Sequence, residues 1–585
     1  MNTRNQNPAG NRGFSTQSAR TKKTRFKPNQ KFNKLRVIPL GGQEEVGRNM
    51  TVFEHSNDIV ILDMGIQFPE EDMPGIDYII PNITYLKGKE KNIKGVIFSH
   101  GHLDHIGAAP ILLEKLGNPL IIGRPLTLAL IKNRAEDYQK GTAKQLKTIT
   151  IKSVKDKIKL GNFLAEFFPV DHSIMDAVGV ILKTNQGTII HPGDWTYEKN
   201  PSGREKFNYR HLARLARPTY LMLESLGSTL KKERVPEKIM YENLQKLIQQ
   251  SPGRIIIGTF SSQIERIKQL LEYCNRIGKK VALDGYSMKT NIEVAKQLGY
   301  IKVKKETLIT IDQIHKYPEK RVVVICTGAQ GEPNAVLSRI ISGNHRFVKI
   351  KKQDTIVFSS SVIPGNERTI QRLKDNLYRL SDNVVHSEIM DVHSSGHSTS
   401  DDILELVKQI KPNYFLPVYA NHYFLKEAEK LVIRNNFPKK NIFILDNGSI
   451  LEINNRKPNL LGKKVPADYV FVDGLGVGDV SNVVLRDRQM LASDGMFVVI
   501  VTIDNETGKL VGKPDIISRG FIYMKHNKKL LDQVRDKVIK LLKDKEPRAK
   551  ADEAYIKSKI RDKIGQYLYS KTERRPMVMP VVIEV

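Results

Sequence analysis

The sequence predicts an α/β protein of several domains, on three observations. Short runs rich in Val, Ile and Leu, such as Gly95-Val96-Ile97-Phe98 and Val60-Ile61-Leu62, break at Gly, Pro, His or Asp as buried strands do. Helix-like stretches such as 262–276 alternate with runs of that kind, the order expected around a parallel sheet. At 585 residues the chain is long enough to bury several cores.

The elements follow in order. Residues 1–34 hold Asn, Gln, Ser, Thr, Gly, Lys and Arg with almost no large aliphatics, and no acid precedes Glu44, so they read as a disordered basic arm suited to loose contact with a polyanion. Strand-like runs begin at Leu35, and residues 35–225 carry a set of histidine and aspartate motifs. In residues 226–385, strand-like runs at 254–260, 280–285 and 321–326 end near Gly or Cys and alternate with helices, which predicts a parallel α/β unit. Residues 386–453 lead up to 454–466, a polar stretch with Pro and Gly that reads as a linker. Residues 467–585 predict a small α/β domain, with a strand at 496–501 and a charged amphipathic helix around 529–545. No internal repeat is visible.

Composition restricts the partners. The formal net charge is +31 and the isoelectric point is near 9.7. This favours a polyanion, nucleic acid or an anionic membrane surface, with salt-dependent binding. No apolar run approaches the roughly 20 residues that span a bilayer, and the N-terminus lacks the apolar stretch of a signal peptide. The expectation is a cytoplasmic protein without a membrane role. Cys274 and Cys326, the two cysteines, lie in apolar segments and suit a reducing compartment as plain core residues.

The densest signal is Ser99-His100-Gly101-His102-Leu103-Asp104-His105. Three imidazoles and a carboxylate within six residues converge more readily on metal than on an apolar core, and they follow a strand, where α/β proteins place their chemistry. His100 and His102 alternate with Gly101 and leave one side of an extended backbone, while Asp104 and His105 can turn to a neighbouring ion. Further donors stand at other strand ends: His172 in Val170-Asp171-His172, Asp194 in His191-Pro192-Gly193-Asp194, and Asp63 after Val60-Ile61-Leu62. A lone strand-end His or Asp is commonly a turn or capping residue. The cluster argues for metal instead. A carboxylate can bridge two cations about 3.5 to 4 Å apart, and Asp63 can orient a ligand from behind.

The pattern His-x-His-x-Asp-His at 100–105, with Asp63, His172 and Asp194, resembles the metallo-β-lactamase superfamily. Gly41–Met50, Thr327–Pro333, Ile363–Glu367, His393–His397 and Asp515–Phe521 narrow the resemblance to the ribonuclease J family of β-CASP nucleases, from about Leu35 to the C-terminus. The resemblance implies an αβ/βα sandwich, with 226–385 as an inserted β-CASP α/β domain and 386–453 as the second part of the metallo-β-lactamase domain. It implies a ribonuclease with 5′-to-3′ exonuclease and possible endonuclease activity in RNA maturation and decay, acting on RNA that carries a 5′-monophosphate. Two divalent ions are implied, zinc first and manganese as the alternative. His100, His102 and His172 would hold one ion, Asp104 and His105 the other, and Asp194 would bridge. It further implies a homodimer or higher oligomer and RNA-decay or ribosome-associated partners.

The same resemblance assigns the remaining candidates. Glu224 and His397 would move protons to or from the leaving oxygen, and His393, Ser394, Ser395, Gly396 and His397 would bind the substrate phosphate. Independently of the family, Ser359–Ser361, Gly365-Asn366 and 393–398 concentrate the hydroxyls, backbone N–H groups and imidazoles that cradle phosphate, although Ser/Gly-rich stretches are also ordinary loops. One position departs from the pattern. Where the family has a histidine that completes the second metal site, this chain has Tyr419, in Leu416-Pro417-Val418-Tyr419-Ala420-Asn421-His422. A neutral phenol binds hard divalent ions weakly, so the second ion has fewer protein ligands, or His422 swings in, or the ion is lost. The last case would leave a weakly active or inactive RNA-binding subunit of an RNA-decay assembly.

Overall fold

The computed structural model describes residues 34–70, 72–197, 208–231, 234–332, 334–363, 366–507, 509–543 and 553–585. All but the last residue of the expected basic arm lies outside them.

Two sheets face each other across one core. The first has eight strands in the order Lys457–Leu460, Leu451–Asn454, Leu35–Gly41, Met50–His55, Asp58–Leu62, Ile93–Ile97, Ile121–Gly123 and Thr148–Thr150. The second has six, in the order Tyr414–Val418, Thr219–Glu224, Gly187–His191, Val178–Thr184, Phe163–Pro169 and Lys157–Leu160. Successive strand residues point to opposite faces. Val60, Leu62 and Ile97 of the first sheet therefore meet Ile189, Tyr220 and Leu416 of the second in one buried cluster. Their neighbours Ile61 and Val96 face out to the helices Ala109–Lys115 and Pro125–Tyr138. On the other side Ile190, Leu221 and Phe415 pack under Ser400–Ile410 and His422–Arg434. Helix, sheet, sheet and helix form the expected αβ/βα sandwich.

Residues 252–385 build a third sheet, all parallel, in the order Leu308–Ile309, Lys280–Asp284, Val322–Cys326, Ile255–Gly258, Thr355–Phe358 and Asn383–Val385. Being covered on both faces, its strands are continuous apolar runs, Ile255-Ile256-Ile257 and Val322-Val323-Val324-Ile325. The Tyr300 hydroxyl donates to Asp176 Oδ2 at 2.8 Å and ties this unit to the sandwich.

The last segment is a three-stranded sheet in the order Leu510–Arg519, Met496–Ile503, Met577–Glu584. Two helices cover one face. Lys528–Lys543 buries Leu531, Val534, Val538 and Leu542, and Glu553–Thr572 buries Ile556, Ile560, Ile564 and Leu568, spacings of three or four residues that form one stripe per helix.

The stretch read as a linker is partly sheet. Lys457–Leu460 pairs antiparallel with Leu451–Asn454, because Asn455 and Arg456 both take positive φ, 49° and 63°, and close a two-residue hairpin without Gly. The chain after it also stays attached to the sandwich. Val470–Asp473 pairs with Tyr78–Ile80, and buried Arg48 donates to the carbonyls of Ala467 at 3.1 Å and Asp468 at 3.3 Å. Long-range pairing of this kind overrides local composition.

Candidate metal centre

The strands Asp58–Leu62, Ile93–Ile97, Phe163–Pro169, Gly187–His191, Thr219–Glu224 and Tyr414–Val418 deliver Asp63, the 99–105 loop, His172, Asp194, Glu224 and Tyr419 respectively, just at or beyond their carboxyl ends. Carboxyl ends of strands are where open α/β sheets bind ligands. Gly65 permits the tight approach of the first two, since a Cβ there would lie 1.5 Å from Asp104 O.

Orientation is set one shell out from the cluster. Asp63 is fully buried and accepts hydrogen bonds from Ser99 N at 2.8 Å, Ser99 Oγ at 2.9 Å and His105 Nδ1 at 2.8 Å. His105 therefore turns Nε2 inward. His172 Nδ1 donates to Gly396 O at 2.7 Å, and His100 Nδ1 lies 2.9 Å from Ser99 Oγ, so both also present Nε2.

Two donor sets result. His102 Nδ1 lies 3.1 Å from His100 Nε2 and 2.9 Å from His172 Nε2, and Asp194 joins these three. Asp104, His105 and Asp194 form the second set. Asp194 faces both: Oδ1 lies 3.3 Å from His105 Nε2 and Oδ2 lies 4.0 Å from His172 Nε2. Burial holds His100 and His172 well below the ordinary imidazole range, with neighbouring imidazoles adding to it, and pushes His102 down to about 4. Three neutral rings thus converge their lone pairs, the form in which histidine binds metal. His105 goes the other way. Burial opposes its charge, but Asp194, Asp104 and Asp63 hold it well above the usual value. Asp104, His105 and Asp194 would hold a cation in place of that proton. The donor chemistry fits divalent ions at both sets.

Proton-carrying groups stand beside them. His397 Nδ1 lies 3.6 Å from Glu224 Oε1 and 4.0 Å from Asp194 Oδ2. Burial pushes His397 down, but the Glu224 carboxylate, then Asp194 and Asp104, reverse this and raise it to about 9. Burial lifts Glu224 above the carboxylate range, against the pull of His397. Of the other loop residues, the Ser394 hydroxyl donates to Val235 O at 2.7 Å, Ser395 Oγ receives His397 N at 3.1 Å and Gly396 O receives His172. Those hydroxyls and that carbonyl shape the loop from within. His393 is buried, with Nδ1 3.0 Å from Arg266 Nη1 and Nε2 lacking a protein partner.

Comparison with known proteins follows the same lines. Residues 44–212 match the metallo-beta-lactamase superfamily, 252–377 the ribonuclease J beta-CASP domain, and 483–585 the ribonuclease J C-terminal domain. The chain is 33% identical over 553 residues to Ribonuclease J2 of Bacillus subtilis, covering 94% of this chain and 99% of that one. It is 34% identical over 555 residues to Ribonuclease J 1 of Streptococcus pyogenes, covering 94% and 98%. The chain belongs to the ribonuclease J family. It is a nuclease of the metallo-β-lactamase superfamily, with a β-CASP domain and a use for divalent metal. A crystal structure of a protein of unknown function from Enterococcus faecalis shares the fold, with a TM-score of 0.50 at 15% identity over 73% of this chain and 100% of that one.

Within the ribonuclease J pattern, the odd position is now placed. Tyr419 is buried, at φ 60°, with its N–H donated to Gly42 O at 2.9 Å. Its ring stands edge-on to His105 at 5.3 Å and tilted against His191 at 4.9 Å. Burial, followed by Asp63, Asp194 and Asp104, holds the phenol well above its ordinary value. His422 does not swing in. Its side chain is 54% exposed, with Nδ1 3.9 Å from Asp446 Oδ1, in a rim group with Glu44. The helix His422–Arg434 begins at this residue and holds its side chain at the rim.

Two contributors escaped the sequence reading. Arg266 is buried and donates through Nη1 to Ser359 O at 2.7 Å and Ser359 Oγ at 3.2 Å as well as facing His393, while its Nε has no protein partner; burial pushes it down to about 10. A cation in the first turn of a helix opposes the helix dipole, and that misfit was the available signal. Asn49 faces the second donor set, its Nδ2 3.0 Å from His105 Nε2 and 3.4 Å from Asp104 Oδ2. Its place inside the Gly41–Met50 motif was the available signal, but its partners lie 55 and 56 residues away.

Proposed function

We propose that this chain hydrolyses RNA with two divalent ions, removing nucleotides from a 5′-monophosphate end in the 5′-to-3′ direction. The observation that carries the reading is the Asp194 carboxylate, one oxygen toward His105 and the other toward His172. Divalent ions bound at the two sets supply Lewis acidity at the phosphoryl oxygen and acidify water. The three-histidine set suits zinc, with manganese as the alternative.

The chain supplies the rest. His397, whose charged form the Glu224 carboxylate favours, would give a proton to the leaving oxygen. Arg266 fixes His393 from behind, leaving its Nε2 toward a terminal phosphate together with backbone N–H groups of the 394–397 loop. A pocket for one phosphate at a set distance from the ions gives stepwise release; internal cutting needs the strand to thread past it. The +31 charge retains the polyanion.

A 5′-labelled RNA tests the reading. Release of labelled mononucleotide, faster from monophosphate than from triphosphate RNA, is expected. Equal rates, or internal fragments only, overturn the exonuclease reading. Binding without cleavage supports the second reading, an RNA-binding subunit, which rests on Tyr419 standing where the family has histidine.

A further inference from the structure

The second donor set is one protein ligand short. His100, His102, His172 and Asp194 make four donors at the first set, but Asp104, His105 and Asp194 make three at the second. The Tyr419 ring stands roughly perpendicular to that of His105, its hydroxyl is buried beside the Asp63 carboxylate, and His422 lies at the rim with Asp446.

The Asn49 amide occupies the gap. Its backbone is held from both sides, N–H to Asp104 O at 3.0 Å and C=O from Gly65 N at 3.0 Å, at the entry to the strand Met50–His55. Its side chain ends 3.0 Å from His105 Nε2 and 3.4 Å from Asp104 Oδ2, and its Oδ1 is buried with no partner. His105 Nδ1–H is given to Asp63, so Nε2 offers a lone pair to whatever lies between it and Asp104. A cation there would meet the N–H end of the amide, while the oxygen end stays unused. The two ends of an amide are nearly isosteric. A half-turn of the side chain presents Oδ1 at the same point with no change of volume.

We propose that Asn49 gives its amide oxygen to the second ion, in the place the family's histidine leaves open, and that this site selects a hard ion. The inference rests on reading the centre as a two-ion site. Asn49, Asp104 and Asp194 would supply oxygen and His105 the single nitrogen, a set suited to Mn²⁺ or Mg²⁺, whereas three imidazoles keep zinc at the first. Two unlike sites would follow from the donors each set presents and one neighbouring amide.

Titration of the chelator-stripped full chain with Mn²⁺, followed by the electron paramagnetic resonance of free Mn²⁺, tests this without reference to cleavage. Native protein should bind two Mn²⁺, and with Zn²⁺ also present, one of each. Asn49→Leu should lose the second Mn²⁺ or weaken it by about tenfold or more, and keep the first. Asn49→Asp should tighten the second, and Tyr419→Phe should match native protein. Asn49→Leu with two Mn²⁺ at native affinity overturns the inference, as does Asn49→Asp without a gain should the leucine variant not fold. Loss of an ion in Tyr419→Phe overturns it too, by making the phenol the ligand. Native protein that binds one ion sinks the Asn49 site and spares the first; native protein that binds none sinks the two-ion reading itself.

Discussion

His105 Nδ1 meets Asp63 Oδ2 at 2.8 Å, both residues wholly buried, so the ring has one nitrogen left for the centre and no freedom to rotate. Asp63 acts on the ion through this bond, having no place in either donor set. Asp63→Asn should therefore weaken the second ion by about 10- to 100-fold while the three-histidine set keeps its own. Competition against a metallochromic chelator measures both; equal losses at the two sites would mean that the loop as a whole had shifted.

His102→Ala removes one of three converging nitrogens. Cleavage should vanish while RNA affinity at moderate salt stays close to native, because the ligand cluster contributes little to the cationic surface that holds the polyanion. Filter binding and a cleavage assay on the same preparation settle it. Full activity with metal still bound would remove His102 from the centre.

Arg266→Lys keeps the charge and loses the planar guanidinium, whose Nη1 reaches Ser359 and His393 while Nη2 reaches Ser394 O. KM for 5′-monophosphate RNA should rise by about tenfold, while RNA with a 5′-hydroxyl is handled as before. An equal change on both substrates would assign Arg266 to folding of the cleft alone.

His397 carries the pH dependence. Its folded value, raised to about 9, lies above the ordinary imidazole value near 6.5, so the charged form is favoured by folding. Its stabilising contribution is complete below the unfolded value and is lost as pH rises through about 9. A rate that needs the protonated ring falls over an alkaline limb as well, at a pH that cations held by Asp194 and Asp104 would lower. Glu224→Gln removes the foremost of the carboxylates that together outweigh burial, so the limb should move to lower pH. An unmoved limb would separate His397 from the proton transfer.

Much of the architecture is legible because it is local. Val60-Ile61-Leu62 and Gly95-Val96-Ile97 announce buried strands, and the amphipathic stripes of the C-terminal helices follow from spacing within one element. The contiguous run from His100 to His105 declares metal for the same reason: a few residues of backbone cannot separate their side chains far. The linker reading failed at Lys457–Leu460 because pairing with Leu451–Asn454 outweighs the polar composition.

Sequence alone determined the kinds of donor, the α/β character and the basic charge, all of which depend on residue type and short-range periodicity. Folding determined the rest. That Asp194 is shared between two donor sets, that Arg266 backs His393 across 127 residues, that Asn49 reaches His105 across 56, and that His422 leaves for the rim three residues after Tyr419 stays, are distances between elements. Such distances are set by strand pairing and sheet-on-sheet packing, which bring strand ends together without regard to their separation along the chain.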